Sequence, residues 1–265
     1  MFDLENIDGF YPMKPSYISR MNIKSVRVKT SAKDEGLPIK DTYARRYFFY
    51  DSAGNLLTYR RKKGFSSDTL RIEYTYDSKG QLSVKKSGDI YGKYNIRYFF
   101  GQNRINRLLS ERQSAGGTRN KELNMEYIQR SDTVVEVIAK TDKGKVDYRE
   151  IIRKNTQGLL LYYARLYDYS NEELRIYYEY DSTNRLERKI IEEKTPTGYY
   201  TRKEVSFFYD SEGRLSSEKV LRNGEFHKRV ECVYENDLLK AKIEKSGICG
   251  KIYIHEYNYE YGLNE

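Results

Sequence analysis

YDSAGNL, at residues 50–56, is rewritten along the chain as YDSKGQL from Tyr76, YDSTNRL from Tyr180 and YDSEGRL from Tyr209. Each copy sits between runs rich in β-branched and aromatic residues, such as TYARRYFFY before the first and LLTYRRK after it. That is the pattern of a β-hairpin. Asp at the first turn position accepts hydrogen bonds from backbone amides further on. Gly at the fourth takes the positive φ that closes a type I turn with a bulge. Tyr50 then faces Leu56 across the ribbon, a pair worth about 0.2–1 kcal/mol.

Weaker copies keep the same conformational demand. Asn184 replaces Gly in DSTN, Asp132 replaces it in QRSD, and NTQG (Asn155 to Gly158) restores it. Asn and Asp tolerate positive φ better than other residues with a side chain. FGQNRI and YENDLL read as shortened turns bending at Asn103 and Asn236. Marking this position gives Gly54, Gly80, Asn103, Asp132, Gly158, Asn184, Gly213, Asn236 and Gly262, with steps of 23, 26 or 29 residues. A recurring period near 26 is the mark of a repeat architecture, here nine hairpin units.

The reading that follows is all-β: a long antiparallel up-and-down meander of about 18 strands. Residues 1–20 form an irregular lead-in without a clear period or helix, and 21–265 a single repetitive domain. Open sheets of more than about 10 strands curl or close, so the meander forms a barrel-like shell or, alternatively, an open spiral. Hairpin turns line one rim. Connections such as KGFSSDT, SGDIYG, SAGGTRNK and KTPTG line the other, where longer, variable loops are expected to carry any specific site.

Aromatic residues stand one and three positions before each turn, and large aliphatics follow it on the same face. Tyr50, Tyr74, Tyr76, Tyr98, Tyr178, Tyr180 and Tyr209 mark this face as a possible binding surface for sugar rings, a peptide or a lipid chain. Packing of the sheet explains the same tyrosines. Asp51, Asp77, Asp181 and Asp210 form a line of carboxylates, but each has a turn to cap, as Asn155 does. With Gly54, Gly80, Gly158, Asn184 and Gly213 they are structural turn residues and not calcium ligands.

The net charge of +9 comes from 48 Lys and Arg interleaved with 39 Asp and Glu. That mixture suits solvated strands guarded against edge-to-edge pairing, not a nucleic-acid track. Two histidines, His227 and His255, and two cysteines, Cys232 and Cys249, stand at no metal-ligand spacing, and both thiols are expected to be free. No catalytic motif, cofactor loop or metal site is read, and no membrane-spanning segment.

At YDSAGNL, YDSKGQL and YDSEGRL the chain resembles the YD repeats of bacterial Rhs-type proteins, written around Tyr-Asp, Gly-Arg and Leu. It resembles still more the small exported bacterial domains of unknown function with YD-like hairpins. The second resemblance implies a soluble, porin-like antiparallel barrel, secreted or anchored in the cell envelope. MFDLENIDGF shows no leader, so a cytoplasmic location is the alternative. The function expected is a non-enzymatic binding or scaffold protein presenting loops on a repeat shell to a glycan, peptide or protein. The alternatives are a carboxylate-dependent glycan-acting enzyme and an Rhs-like encapsulation module.

Overall fold

The computed structural model describes residues 14–65 and 69–262. The strands are β1 (Ile23–Lys33), β2 (Lys40–Tyr50), β3 (Leu56–Lys62), β4 (Thr69–Tyr76), β5 (Leu82–Asp89) and β6 (Gly92–Gly101). They continue as β7 (Arg104–Ser114), β8 (Gly117–Ser131), β9 (Val134–Thr141), β10 (Val146–Lys154), β11 (Leu160–Tyr167) and β12 (Glu173–Tyr180). The last six are β13 (Leu186–Lys194), β14 (Tyr200–Tyr209), β15 (Leu215–Arg222), β16 (Glu225–Glu235), β17 (Leu238–Ser246) and β18 (Ile252–Tyr261).

Each strand pairs antiparallel with its neighbours in the chain, and β18 returns to pair with β1. Across that seam Val26 faces Tyr259, Val28 faces Tyr257 and Thr30 faces His255. The 18-stranded sheet is therefore a closed barrel and not an open spiral. Closure removes the two edges that a meander would otherwise present to other chains.

The turns show why the motif recurs. Asn55 donates its backbone N–H to Asp51 Oδ1 at 2.8 Å, and the Gly54 N–H donates to the Asp51 carbonyl at 3.0 Å. Gly54 has φ +84°, and Tyr50 pairs with Leu56 as the turn chemistry requires. Asp77, Asn155, Asp181 and Asp210 accept the equivalent amides, with Gly80, Gly158, Asn184 and Gly213 at positive φ. The shortened turns bend at two residues: Gln102 with Asn103, and Asn236 with Asp237, all at positive φ.

Two marker positions behave differently from the expectation. Asp132 keeps negative φ, and the β8–β9 register shifts between Gln129 and Ser131, so a bulge inside the strand takes up the twist. Gly262 makes no turn. Its N–H donates to the Asn22 carbonyl at 2.8 Å, and a side chain there would meet Asn22. The ninth unit is thus split across the seam, leaving eight hairpins, with β18 as its first strand and β1 as its second.

Successive hairpins are latched together by tyrosines that recur at or next to the first position of the motif. Tyr76, Tyr127, Tyr180, Tyr209, Tyr234 and Tyr259 donate their hydroxyls to the carbonyls of Leu56, Ile105, Leu160, Leu186, Leu215 and Leu239, each in the preceding hairpin. Arg185 and Arg214 bind the turn aspartates Asp181 and Asp210 through Nε. The same guanidinium groups stack on Tyr209 and Tyr234 of the next hairpin, at 4.7 and 4.9 Å. Tyr50, first in the series, has no hairpin before it, and its buried hydroxyl has no hydrogen-bond partner among the described residues.

A helix, α1 (Pro15–Arg20), occupies the lead-in where no helix was expected. Six residues are too few for periodicity to reveal; Pro15 at its start is the one local signal. It lies across the turn rim at the seam: Ser19 Oγ donates to the Ser52 carbonyl and the Tyr17 hydroxyl to the Asp237 carbonyl. Ile18 is fully buried with Phe48, Tyr59, Val28 and Tyr257. This short helix covers the place where the ninth turn is missing.

Gly54 and Gly80 separate two effects of one substitution. Both have positive φ, which costs an alanine about 1 kcal/mol. Gly80 has open space around it, whereas a Cβ on Gly54 would overlap the Pro15 carbonyl. Gly80→Ala is expected to lower stability by about 1 kcal/mol. Gly54→Ala should cost clearly more and expose the α1 segment to protease, as chemical denaturation and limited proteolysis will show.

Candidate functional site

The pairing register assigns every strand residue to the inner or outer wall. Near the turn rim the inner wall is apolar and aromatic. Tyr50, Tyr74 and Tyr178 are buried there, Tyr76, Tyr180 and Tyr209 bond the preceding hairpin, and Tyr98 is half-buried. Burial, followed by the nearby Asp51 carboxylate, pushes the Tyr76 phenol up to about 12. The aromatic face read from the sequence is this inner wall.

Further toward the other rim the inner wall turns polar. Lys242 lies 3.5 Å from Glu218, and Lys228 bonds Glu244 at 2.7 Å. Lys242 faces both Cys232 on β16 and His255 on β18. Burial pushes the Cys232 thiol up and holds the Lys203 ammonium down, the latter aided by Lys228 and Lys189. A second knot lies across β10 and β11, where Glu150 accepts bonds from the Tyr163 hydroxyl and the Arg165 guanidinium. Each of these interior carboxylates is thus engaged by a cation.

His255 sits in the first cluster, 3.0 Å from Thr30 Oγ1. Burial first, then Arg46, Lys228 and Lys242 against the single attraction of Glu244, push its imidazole down to about 4. The folded state resists protonation that the unfolded chain accepts near 6.5. Stability is then full above about pH 6.5 and falls as pH drops toward 4, by up to about 3 kcal/mol. His255→Gln should flatten the stability profile over that window, as denaturant midpoints from pH 4 to 7.5 will show.

The two rims differ in kind. Of sixteen large apolar side chains exposed among the described residues, twelve lie in or within four residues of the connections opposite the hairpin turns. Phe65, Ile248 and Tyr91 are 83, 78 and 75% exposed, and Tyr199 and Tyr169 also stand out into solvent. None lies in a turn of the other rim, which presents Asp, Ser, Gly, Asn and Arg. The connections at this rim are not longer, contrary to expectation: residues 90–91, 115–116 and 223–224 are two-residue links. Strands β7 and β8 run on through much of SAGGTRNK, so the sequence that reads as loop is largely ladder.

Between β5 and β8 this rim opens into a cleft of about 500 Å³. Ser87, Tyr91, Tyr94, Arg112, Arg119 and Lys121 line it. Lys121 bonds Asp147 at 2.6 Å, and Asp89 caps its own turn by accepting the Tyr91 N–H. Cys249, expected to be a free thiol, lies exposed at the same rim, and its hydrogen bond to the Ser246 hydroxyl lowers the thiol pKa. Among the described residues no three His, Cys, Asp or Glu side chains converge as a metal site would require. No helix among them is long and apolar enough to cross a membrane.

No family profile matches the sequence, and no curated protein matches it. Among solved structures, a porin-like protein from Bacteroides uniformis ATCC 8492 is similar with a TM-score of 0.47 and 12% identity. The match covers 91% of this chain and 97% of that one. A porin-like protein from Bacteroides vulgatus ATCC 8482 is similar with a TM-score of 0.38 and 8% identity, over 89% of this chain and 98% of that one.

Proposed function

We propose that this β-barrel is a non-enzymatic binding scaffold of the bacterial cell envelope, and that its ligand docks on the apolar rim. The segregation of exposed aromatic and aliphatic side chains to one end of the barrel carries this reading. Exposed apolar side chains gathered at one end of a molecule point to an interaction site, where the same number scattered singly would not. The repeated hairpins supply a rigid frame, and the rim connections supply the side chains that vary from hairpin to hairpin.

The barrel stands in water in this reading. Its outer wall carries Arg27, Glu73, Arg97, Glu122, Arg175 and Glu256; an arginine facing lipid costs about 2–4 kcal/mol at the bilayer midplane, and a glutamate adds a smaller cost. The envelope location rests on the resemblance of the repeats to exported hairpin domains, and fractionation of cells expressing the native gene tests it.

The binding reading is tested on glycan and peptide arrays with two proteins, the native chain and one whose 90–91 and 195–199 connections are replaced by Asn-Gly and Asp-Ser-Lys-Gly-Gln. The native barrel is expected to retain a ligand that the second barrel releases. Binding that survives the replacement, or arrays blank for the native chain, would contradict the proposal.

A further inference from the structure

On the floor of the rim cleft, four strands contribute one straight row. Ser87 faces Tyr94, Tyr94 faces Arg112, and Arg112 faces Arg119. Two arginines directly opposite each other repel, an arrangement that destabilises a sheet. Two other arginine pairs face each other on the barrel, Arg46 with Arg61 and Arg60 with Arg71; of these, Arg71 bonds Glu73 and Arg60 lies over the Phe49 ring. Neither Arg112 nor Arg119 forms an ion pair with a described residue. The one nearby cation that does is Lys121, on Asp147. With Lys121 paired to Asp147, the lining of the cleft sets Lys93, Arg112 and Arg119 against the one carboxylate of Asp89 and so carries net positive charge on its floor.

We propose that this cleft binds an anionic saccharide chain, with Arg112 and Arg119 on its carboxylate or sulfate and Tyr91 and Tyr94 against its rings. The proposal rests on the rim-binding reading and names its ligand. A guanidinium presents a planar fork of donors that matches a carboxylate or sulfate. Two of them from adjacent strands can hold one anionic group without reorganising the sheet. Tyr91 is exposed and Tyr94 lies beside Arg112, which gives flat aromatic surface next to the charge. Ser87, Ser110, Gln113 and Asn120 add donors and acceptors suited to sugar hydroxyls.

The cleft continues over the rim into a second recess of about 480 Å³ that shares Ser87, Gly88, Lys93, Tyr94 and Gln113. Together they suit several sugar units better than a single small ion. The second recess also presents Glu73 and Glu111. Those carboxylates would repel the unbroken phosphate track of a nucleic acid, which needs a continuous basic path. A saccharide with spaced charges meets no such barrier.

The experiment is calorimetric titration of the full chain with hyaluronate and kappa-carrageenan, which carry one carboxylate or one sulfate per disaccharide, neutral dextran and a single-stranded DNA oligonucleotide. One or both anionic polysaccharides are expected to bind, neutral dextran is not, and the comparison tells carboxylate from sulfate recognition. Arg112→Ala/Arg119→Ala should weaken binding at least tenfold without lowering the melting temperature, since it relieves a repulsion. Tyr91→Ala should weaken it several-fold. Arg27→Ala/Arg97→Ala removes equal charge from the outer wall and should leave the affinity unchanged.

Equal loss in both double variants would mean diffuse charge attraction and would overturn the site, as would DNA binding tighter than either polysaccharide. Absence of binding to both polysaccharides overturns it as well. Should the rim-dependent array ligand prove uncharged, the anionic assignment fails while the binding rim stands.

Discussion

Replacement of Phe48 by alanine is expected to lower the unfolding free energy by about 3–5 kcal/mol. Phe48 is fully buried, faces Val26 on β1 and Tyr59 on β3, and its ring lies 5.0 Å from that of Tyr59. Its removal opens a cavity where the inner wall, α1 and the seam strands meet. The surrounding barrel cannot collapse into that space, because closure fixes the strands on both sides. For a chain of this size each kcal/mol lowers the melting temperature by about 2–4 °C. Phe208, outward-facing and 49% exposed, is the control, and its alanine variant should cost under about 1 kcal/mol. A larger loss for Phe208 would mean that the inner and outer walls are assigned the wrong way round, and similar losses that the two walls do not differ in burial.

The second large effect comes from the polar part of the inner wall. Lys242 and Glu218 are 6 and 8% exposed. Lys242→Met leaves the Glu218 carboxylate in the same low-dielectric site without its near ammonium, a change that costs about 3–5 kcal/mol. Lys242→Met/Glu218→Leu, which removes both charges, should recover most of the stability. A single variant within about 1 kcal/mol of the native protein at pH 7 would show that water reaches this cluster freely.

The hairpins and their register were legible because one conformation, positive φ at the fourth turn residue, admits so few residue types. Gly54, Gly80, Gly158 and Gly213 announce it, and Asn184 confirms it by exception. Asp132 misled for the same reason: a residue that tolerates positive φ does not have to adopt it, and a bulge in β8 does the bending instead. Closure was beyond local reading. The β1–β18 pairing joins the two ends of the chain, and only the arithmetic of a broken ninth unit, with Gly262 at its end, hints at it.

The candidate site was partly visible. Phe65, Tyr91, Tyr169, Tyr199 and Ile248 all stand in connections that the sequence assigns to one rim, but their exposure depends on strand lengths that spacing alone does not give. The Arg112–Arg119 pair follows once the link at 115–116 is known to be two residues long, because that centre places the two opposite each other. SAGGTRNK read as an irregular loop hides that register.

Closure of the ring by β18 on β1 is the central structural claim, and one measurement tests it directly. Arg27 and Asn258 are outward-facing partners across the seam. Paired residues on antiparallel strands have Cα atoms about 4.5–5.5 Å apart, within disulfide range. In a chain carrying Cys232→Ser, Cys249→Ser, Arg27→Cys and Asn258→Cys, mild oxidation followed by peptide mapping should recover one intramolecular disulfide joining β1 to β18 in the monomer. An open spiral holds these strands at opposite ends of the sheet. Two free thiols after oxidation, or only intermolecular dimers, would contradict the closed barrel.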